Sequence, residues 1–153
     1  MNADGKAKEL GLDLTHSAGP VANYVPAVTT GKLVYLSGKG PTRPDGTLVL
    51  GKVGADLNVD EAYDAARLVG IQLLAALREH LGGSLDSVSR VIKLLGMVNC
   101  TPDFGEQPKV INGCSDLLVA VFGENGKHAR SAVGMGSLPN QIPVEIEMIV
   151  ELK

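Results

Sequence analysis

Between Asn58 and Gly83 the chain carries one amphipathic helix with both ends marked, and no other segment restricts the fold as much. Asn58-Val59-Asp60-Glu61 has the Asn-x-x-Glu form of a capping box, in which side-chain oxygens take up the free N–H groups of a helix start. Behind it Ala62, Ala65, Ala66, Val69, Leu73, Ala76 and Leu77 keep helical spacing on one face, and Gly82-Gly83 ends the run. Alanines along that stripe let a helix sit close to a flat partner. A sheet is therefore expected beneath it.

The strands for that sheet come from both sides of the helix. From Tyr24, two β-rich runs around Gly31-Lys32 read as a hairpin, with the first run at an edge because Pro26 has no backbone donor. Pro41 to Gly46 is a loop, and Thr47 to Leu50 is a candidate short strand. Val88 to Val98 is a strongly apolar strand interrupted by Arg90 and Lys93. A second helix is expected to start between Pro102 and Pro108, where proline is tolerated in a first turn. Its stripe is Val110, Ile111, Cys114, Leu117, Leu118 and Val121, ended by Gly123 to Gly126. Two last strands follow, Arg130 to Gly136 and Val144 to Leu152, read as a hairpin. In the second of them Val144, Ile146, Met148, Val150 and Leu152 alternate with Glu145, Glu147, Ile149 and Glu151.

Residues 1–20 read as an N-terminal arm with a candidate short helix over Ala3 to Leu12, and residues 21–153 as a single domain. The order β-β-(β)-α-β-α-β-β predicts an α+β fold, a mixed β-sheet with two α-helices on one face. The other face, where apolar, would be covered by packing against copies of the same chain, so an oligomer is expected.

Composition excludes several classes. A net charge of −3 supplies no field for a polyanion, and an aromatic content of 3% leaves few rings for base stacking, so both argue against nucleic-acid binding. No apolar run approaches the roughly 18–20 residues of a membrane span, and the polar N-terminus lacks the apolar core of a secretion signal. The expected location is cytoplasmic, with no membrane partner. Cys100 and Cys114 suggest neither a disulfide framework nor a metal pair, and Cys114 falls on the apolar face of the second helix.

Motifs for phosphate, zinc or nucleophilic chemistry are missing, and Gly38-Lys39-Gly40 is too short for a phosphate loop. His16, His80 and His128 are not paired for acid–base work. What remains is Lys127 to Glu147. Arg130 opens an otherwise uncharged strand, with Glu145 and Glu147 on the next. Two readings stay open on pattern alone: a cross-strand ion pair with one of these glutamates, or a fixed guanidinium that grips a ligand carboxylate through two parallel hydrogen bonds.

His128-Ala-Arg-Ser-Ala-Val133, Ser137-Leu-Pro139 and Val144-Glu-Ile-Glu147 together resemble the C-terminal signature of the Rid family, the reactive intermediate deaminases, also known as the YjgF or L-PSP endoribonuclease family. Tyr24 after Gly19-Pro20, Ser37-Gly38, Asp103-Phe104 and Asn112 match as well. The resemblance covers roughly residues 18–153. It implies a chorismate-mutase-like (YjgF) fold, a homotrimer with clefts between subunits, and no metal or organic cofactor. It also implies hydrolysis of 2-imino or 2-enamino acids, such as 2-iminobutanoate and 2-iminopropanoate, to 2-oxo acids and ammonia. Arg130 matches the substrate-binding arginine and Glu145 the cleft glutamate that orients or deprotonates water. Tyr24, Ser37, Gly38, Asn112 and Ala132 match positions lining the cleft. Many members carry Cys where this chain has Ala132, and Gln where it has Lys39, which places a charge near the expected cleft mouth; residues 97–102 also depart from the usual wording. Two rival functions are a trimeric 2-oxo acid binding or regulatory protein without turnover, and an endoribonuclease.

Overall fold

The computed structural model describes residues 2–20 and 22–153. Met1 and Val21, the first residues of the expected arm and of the expected domain, lie outside the described residues. The elements run α1 (Ala3–Glu9), β1 (Ala27–Thr30), β2 (Leu33–Lys39), α2 (Val59–His80), β3 (Val88–Asn99), α3 (Gln107–Phe122), β4 (Ala129–Met135) and β5 (Val144–Leu152). The fold is mixed α+β with a five-stranded sheet.

Of the expected capping box at the start of α2, the Asn58 half is formed, and the glycine pair closes the other end. The Asn58 side chain accepts the Glu61 backbone N–H at 2.8 Å, and positive φ at Gly82 and Gly83 turns the chain away. Asn58→Ala is expected to cost about 1 kcal/mol, lowering the melting temperature by about 3 °C in a thermal scan. The candidate strand at Thr47 to Leu50 does not form: a single bridge joins Leu48 to Thr42 within a loop bent by Gly46 and Gly51. The first β-rich run is shorter than expected and starts at Ala27, immediately after Pro26. The candidate helix of the arm spans Ala3–Glu9, three residues shorter than the run to Leu12, and stands beside the two main helices as α1. It is held to the body by Asp4, which receives hydrogen bonds from Ser84 and Leu85.

Strand order is β1-β2-β5-β3-β4, antiparallel except for the parallel β3–β4 pair. The expected β4–β5 hairpin is therefore wrong. β3, α3 and β4 form a crossover unit, and the chain then returns so that β5 inserts between β2 and β3. The physical reason lies in β5 itself. Val144, Ile146, Met148 and Val150 are almost wholly buried, a demand that a central strand meets better than an edge strand.

Both main helices cover one face, and the core between them and the sheet is aliphatic, built around Leu73, Leu74, Leu77, Leu94, Ile111, Leu118 and Met148. Two glycines set the height of α3. A Cβ on Gly96 of β3 would lie 2.6 Å from Ile111, and a Cβ on Gly113 would lie 2.0 Å from the Tyr63 carbonyl of α2. Their absence lets α3 settle onto both neighbours. On the other face Val28, Tyr35 and Val133 remain 54%, 45% and 38% exposed. Among the described residues no helix is long and apolar enough to cross a membrane.

Candidate functional site

β4 is an edge strand, paired only with β3, and its alternation decides where Arg130 goes. Arg130, Ala132 and Gly134 stand opposite Leu94, Gly96 and Val98, on the side covered by α3. The Arg130 guanidinium donates from Nη1 to Ser115 Oγ at 2.9 Å and from Nη2 to the Pro108 carbonyl at 3.2 Å. No ion pair among the described residues involves Arg130. Two of its five N–H donors are thus engaged, and a half-buried cation stands without a carboxylate. The cross-strand ion pair with Glu145 or Glu147 does not form, because β3 separates β4 from β5.

Pro108, Asn112 and Ser115 are spaced four and three residues apart and so share one face of α3, which places Asn112 beside the guanidinium. Ala132 is half-buried and packs against the core one step further along β4. Arg130 and Ala132 of β4 and Asn112 of α3 therefore all lie on the helix-covered side of the sheet.

Two further residues join the guanidinium: Ser115, which the sequence did not single out, and His128, to which it assigned no role. His128 Nδ1 lies 2.6 Å from the Gly126 carbonyl, and Nε2 lies 3.0 Å from Ser115 Oγ. A carbonyl only accepts, which assigns the imidazole proton to Nδ1 and leaves Nε2 to accept the Ser115 hydroxyl. Burial lowers the His128 pKa below the ordinary imidazole value; the bond to Gly126 opposes this, and the Arg130 charge adds to it. The available signal was spacing. His128 is two residues before Arg130, on the same side of an extended chain, and Ser115 is three residues after Asn112 on a helix.

Glu145 is elsewhere. It pairs with Met97 on the open face of the sheet, three register steps along and two strands across from Arg130. At about 4.8 Å per strand and about 3.4 Å per residue their Cα atoms are roughly 14 Å apart, with the sheet between their side chains. Burial raises the Glu145 pKa above the ordinary carboxylate value, and the neighbouring Glu147 charge raises it further. Gly38 belongs to this second group, since a Cβ there would lie 2.7 Å from Glu145 Oε2. Ser37 donates its hydroxyl to the Val25 carbonyl at 2.7 Å and its backbone N–H to Pro26, fixing the segment that holds the exposed Tyr24. The expected site is thus divided within one chain between a helix-side group and an open-face group.

Lys39 corrects another expectation. It is opposite Ile146, nearly buried, and its ammonium donates to the Ala18 carbonyl under the arm, so its charge is not at a cleft mouth. A cavity of about 500 Å³ between the arm, the 41–46 loop and α2 contains none of the residues named for the site. Another of about 480 Å³ on the open face includes Ser37, Tyr35 and Glu147.

Both cysteines are buried and reduced. Burial pushes the Cys114 thiol pKa up to about 12, against the pull of the nearby Arg130 charge. Almost no thiolate exists there at pH 8, so Cys114 is expected to resist alkylation in the native protein and to react on unfolding, as peptide mapping would show. Rapid native labelling at that position would mean that α3 lifts from the sheet.

Comparison with known proteins adds the following. The family described as "YjgF/chorismate mutase-like, putative endoribonuclease" matches residues 5–151. Protein TCP17 of Trypanosoma cruzi is 43% identical over 146 residues, covering 95% of this chain and 91% of that protein. The crystal structure of the protein Atu1372 with unknown function from Agrobacterium tumefaciens is 45% identical with a TM-score of 0.89, covering 99% of this chain and 92% of that one. That of a putative endoribonuclease from Shewanella oneidensis is 31% identical with a TM-score of 0.93, covering 99% and 100%.

Proposed function

The chain belongs to the YjgF/chorismate mutase-like family, and from that premise we propose that it hydrolyses 2-imino acids, or their enamine tautomers, to 2-oxo acids and ammonia in a cleft between protomers of a homotrimer. The observation that carries this reading is the Arg130 guanidinium, half-buried, oriented by α3 and claimed by no acid among the described residues. A planar cation with spare donors suits a carboxylate, whose two oxygens match the fork of its N–H groups.

The chemistry asks little more of the protein. The iminium carbon of such a substrate is already electrophilic, so holding it near water is most of the task. Water oxygen bonds to C2 and loses one proton to give a carbinolamine; the nitrogen then gains a proton, and the C–N bond breaks to release ammonia as the hydroxyl gives up its remaining proton and C=O forms. A carboxylate whose pKa stands above its ordinary value, as burial and Glu147 raise that of Glu145, is the better placed to take up a proton from water. Because the sheet separates Glu145 from Arg130 in one chain, the reading requires a second copy to complete the cleft. Tyr24, Ser37 and Gly38 would contribute beside Glu145, and Asn112 and Ala132 beside Arg130. The exposed apolar residues of the open face give copies a surface on which to associate.

The same separation favours a second reading, in which the Arg130 group binds 2-oxo acids without turnover. The two are told apart by generating imino acids with an amino-acid oxidase and trapping them with semicarbazide. Suppressed trapping with release of 2-oxo acid and ammonia is expected. Unchanged trapping alongside measurable 2-oxobutyrate binding would favour the binding protein. RNA cleavage by highly purified material would point instead to the activity in the family's description, against which stand the net charge of −3 and the scarcity of aromatic side chains.

A further inference from the structure

Arg130 is not held by packing alone; its orientation ends in a chain of hydrogen bonds whose directions follow once the imidazole of His128 is neutral. Arginine has only donors, so Ser115 Oγ accepts from Nη1. The Ser115 proton then goes to His128 Nε2, and His128 Nδ1 gives its own proton to the Gly126 carbonyl. The chain runs in one direction from the cation at the edge strand to the turn that follows α3.

We infer that Ser115 and neutral His128 are positioning residues for ligand binding, holding the Arg130 guanidinium so that its remaining N–H donors face a carboxylate. This rests on the reading of Arg130 as the carboxylate anchor. Neutral imidazole gives the Ser115 proton an acceptor and keeps a second positive charge away from Arg130. A proton added at Nε2 turns that nitrogen into a donor, so Ser115 Oγ must accept from both sides and two cations meet on one hydroxyl. The guanidinium, on an edge strand with a single neighbour, is the group free to swing away.

The surroundings of His128 offer the extra proton little compensation. From α3 it faces Ser115, and on its own strand Arg130. Arg90 of β3 and Lys127 line the shallow cavity that it borders. Glu124, an acid close in sequence, pairs with Lys127 at 2.9 Å. Lys93 pairs with Ala129, which points to the open face. The charged groups around the ring are therefore mostly cationic and favour the neutral form, consistent with the lowered His128 pKa.

The test is binding of 2-oxobutyrate to the full chain by calorimetry from pH 5 to 8, with circular dichroism and thermal melts to establish folding. Ser115→Ala is expected to weaken binding about tenfold at pH 7.5, and Ser115→Thr, which keeps the hydroxyl, to stay within about threefold of wild type. The neutral imidazole exists above its pKa, which burial holds below the ordinary imidazole value, so wild-type binding should persist from pH 8 down past that ordinary value and weaken only toward the acid end of the range. His128→Gln presents an acceptor that does not titrate, so its affinity should change less than wild type across that window. Glu145 titrates in both proteins and cancels in the comparison. Wild-type affinity in Ser115→Ala, or the same acid-side loss in His128→Gln, would overturn the positioning role while Arg130→Ala still abolished binding. Undiminished binding in Arg130→Ala would instead remove the reading beneath it. Should Ser115→Ala fail to fold, the pH comparison alone decides.

Discussion

Arg130→Ala is expected to abolish imine hydrolysis, lowering kcat/KM by at least about a hundredfold, while leaving the fold and the assembly unchanged. The size follows from the chemistry of the contact. A charge-assisted, two-pronged bond to a carboxylate contributes about 3 kcal/mol or more in a partly dry site, and nothing nearby substitutes for it. Structural cost should be small, since Arg130 lies on an edge strand, half exposed, and its loss frees only the Ser115 hydroxyl and the Pro108 carbonyl to bind water. Semicarbazide trapping gives the activity and light scattering the assembly. A variant that suppressed trapping as well as wild type would remove Arg130 from the mechanism.

Gly113→Ala should be the most damaging single methyl in the molecule. A Cβ there would sit 2.0 Å from the Tyr63 carbonyl oxygen and 3.0 Å from the Arg67 backbone nitrogen. These are backbone atoms of a long helix and cannot rotate aside as a side chain would. The helices must separate instead, lifting α3 from contacts that include Ile111 over Gly96. We expect a loss of about 3 kcal/mol or more, seen as a melting temperature lower by about 10 °C or as failure to fold. Any folded fraction should also bind 2-oxobutyrate weakly, because Pro108, Asn112 and Ser115 travel with α3. A melting temperature within about 2 °C of wild type would mean that the α2–α3 contact is looser than described.

Much of this architecture is written in local patterns. The capping residue Asn58, the alanine stripe of α2, the alternation of β5 and the glycine after α3 each act over a few residues, so each is legible without knowing the rest of the chain. The strand partners were not. β4 and β5 are neighbours in sequence and look like a hairpin, yet β5 pairs with β2 and β3, because its apolar side needs cover along its whole length. That one difference carries Glu145 away from Arg130. Lys39 likewise reads as a surface charge until the arm is placed, when the Ala18 carbonyl gives its ammonium a partner indoors.

The candidate site divides along the same line. Arg130 stood out because it is the only charge in its strand, a property of the chain itself. His128 and Ser115 did not, since spacing puts each on the right face but only the packing of a helix on an edge strand brings the two within hydrogen-bond distance. Residue order and side-chain chemistry determined the elements, the faces they bury and the identity of the anchoring cation. Tertiary structure alone decided which groups meet that cation, because pairing between distant strands depends on total burial across the sheet and not on any local run of residues.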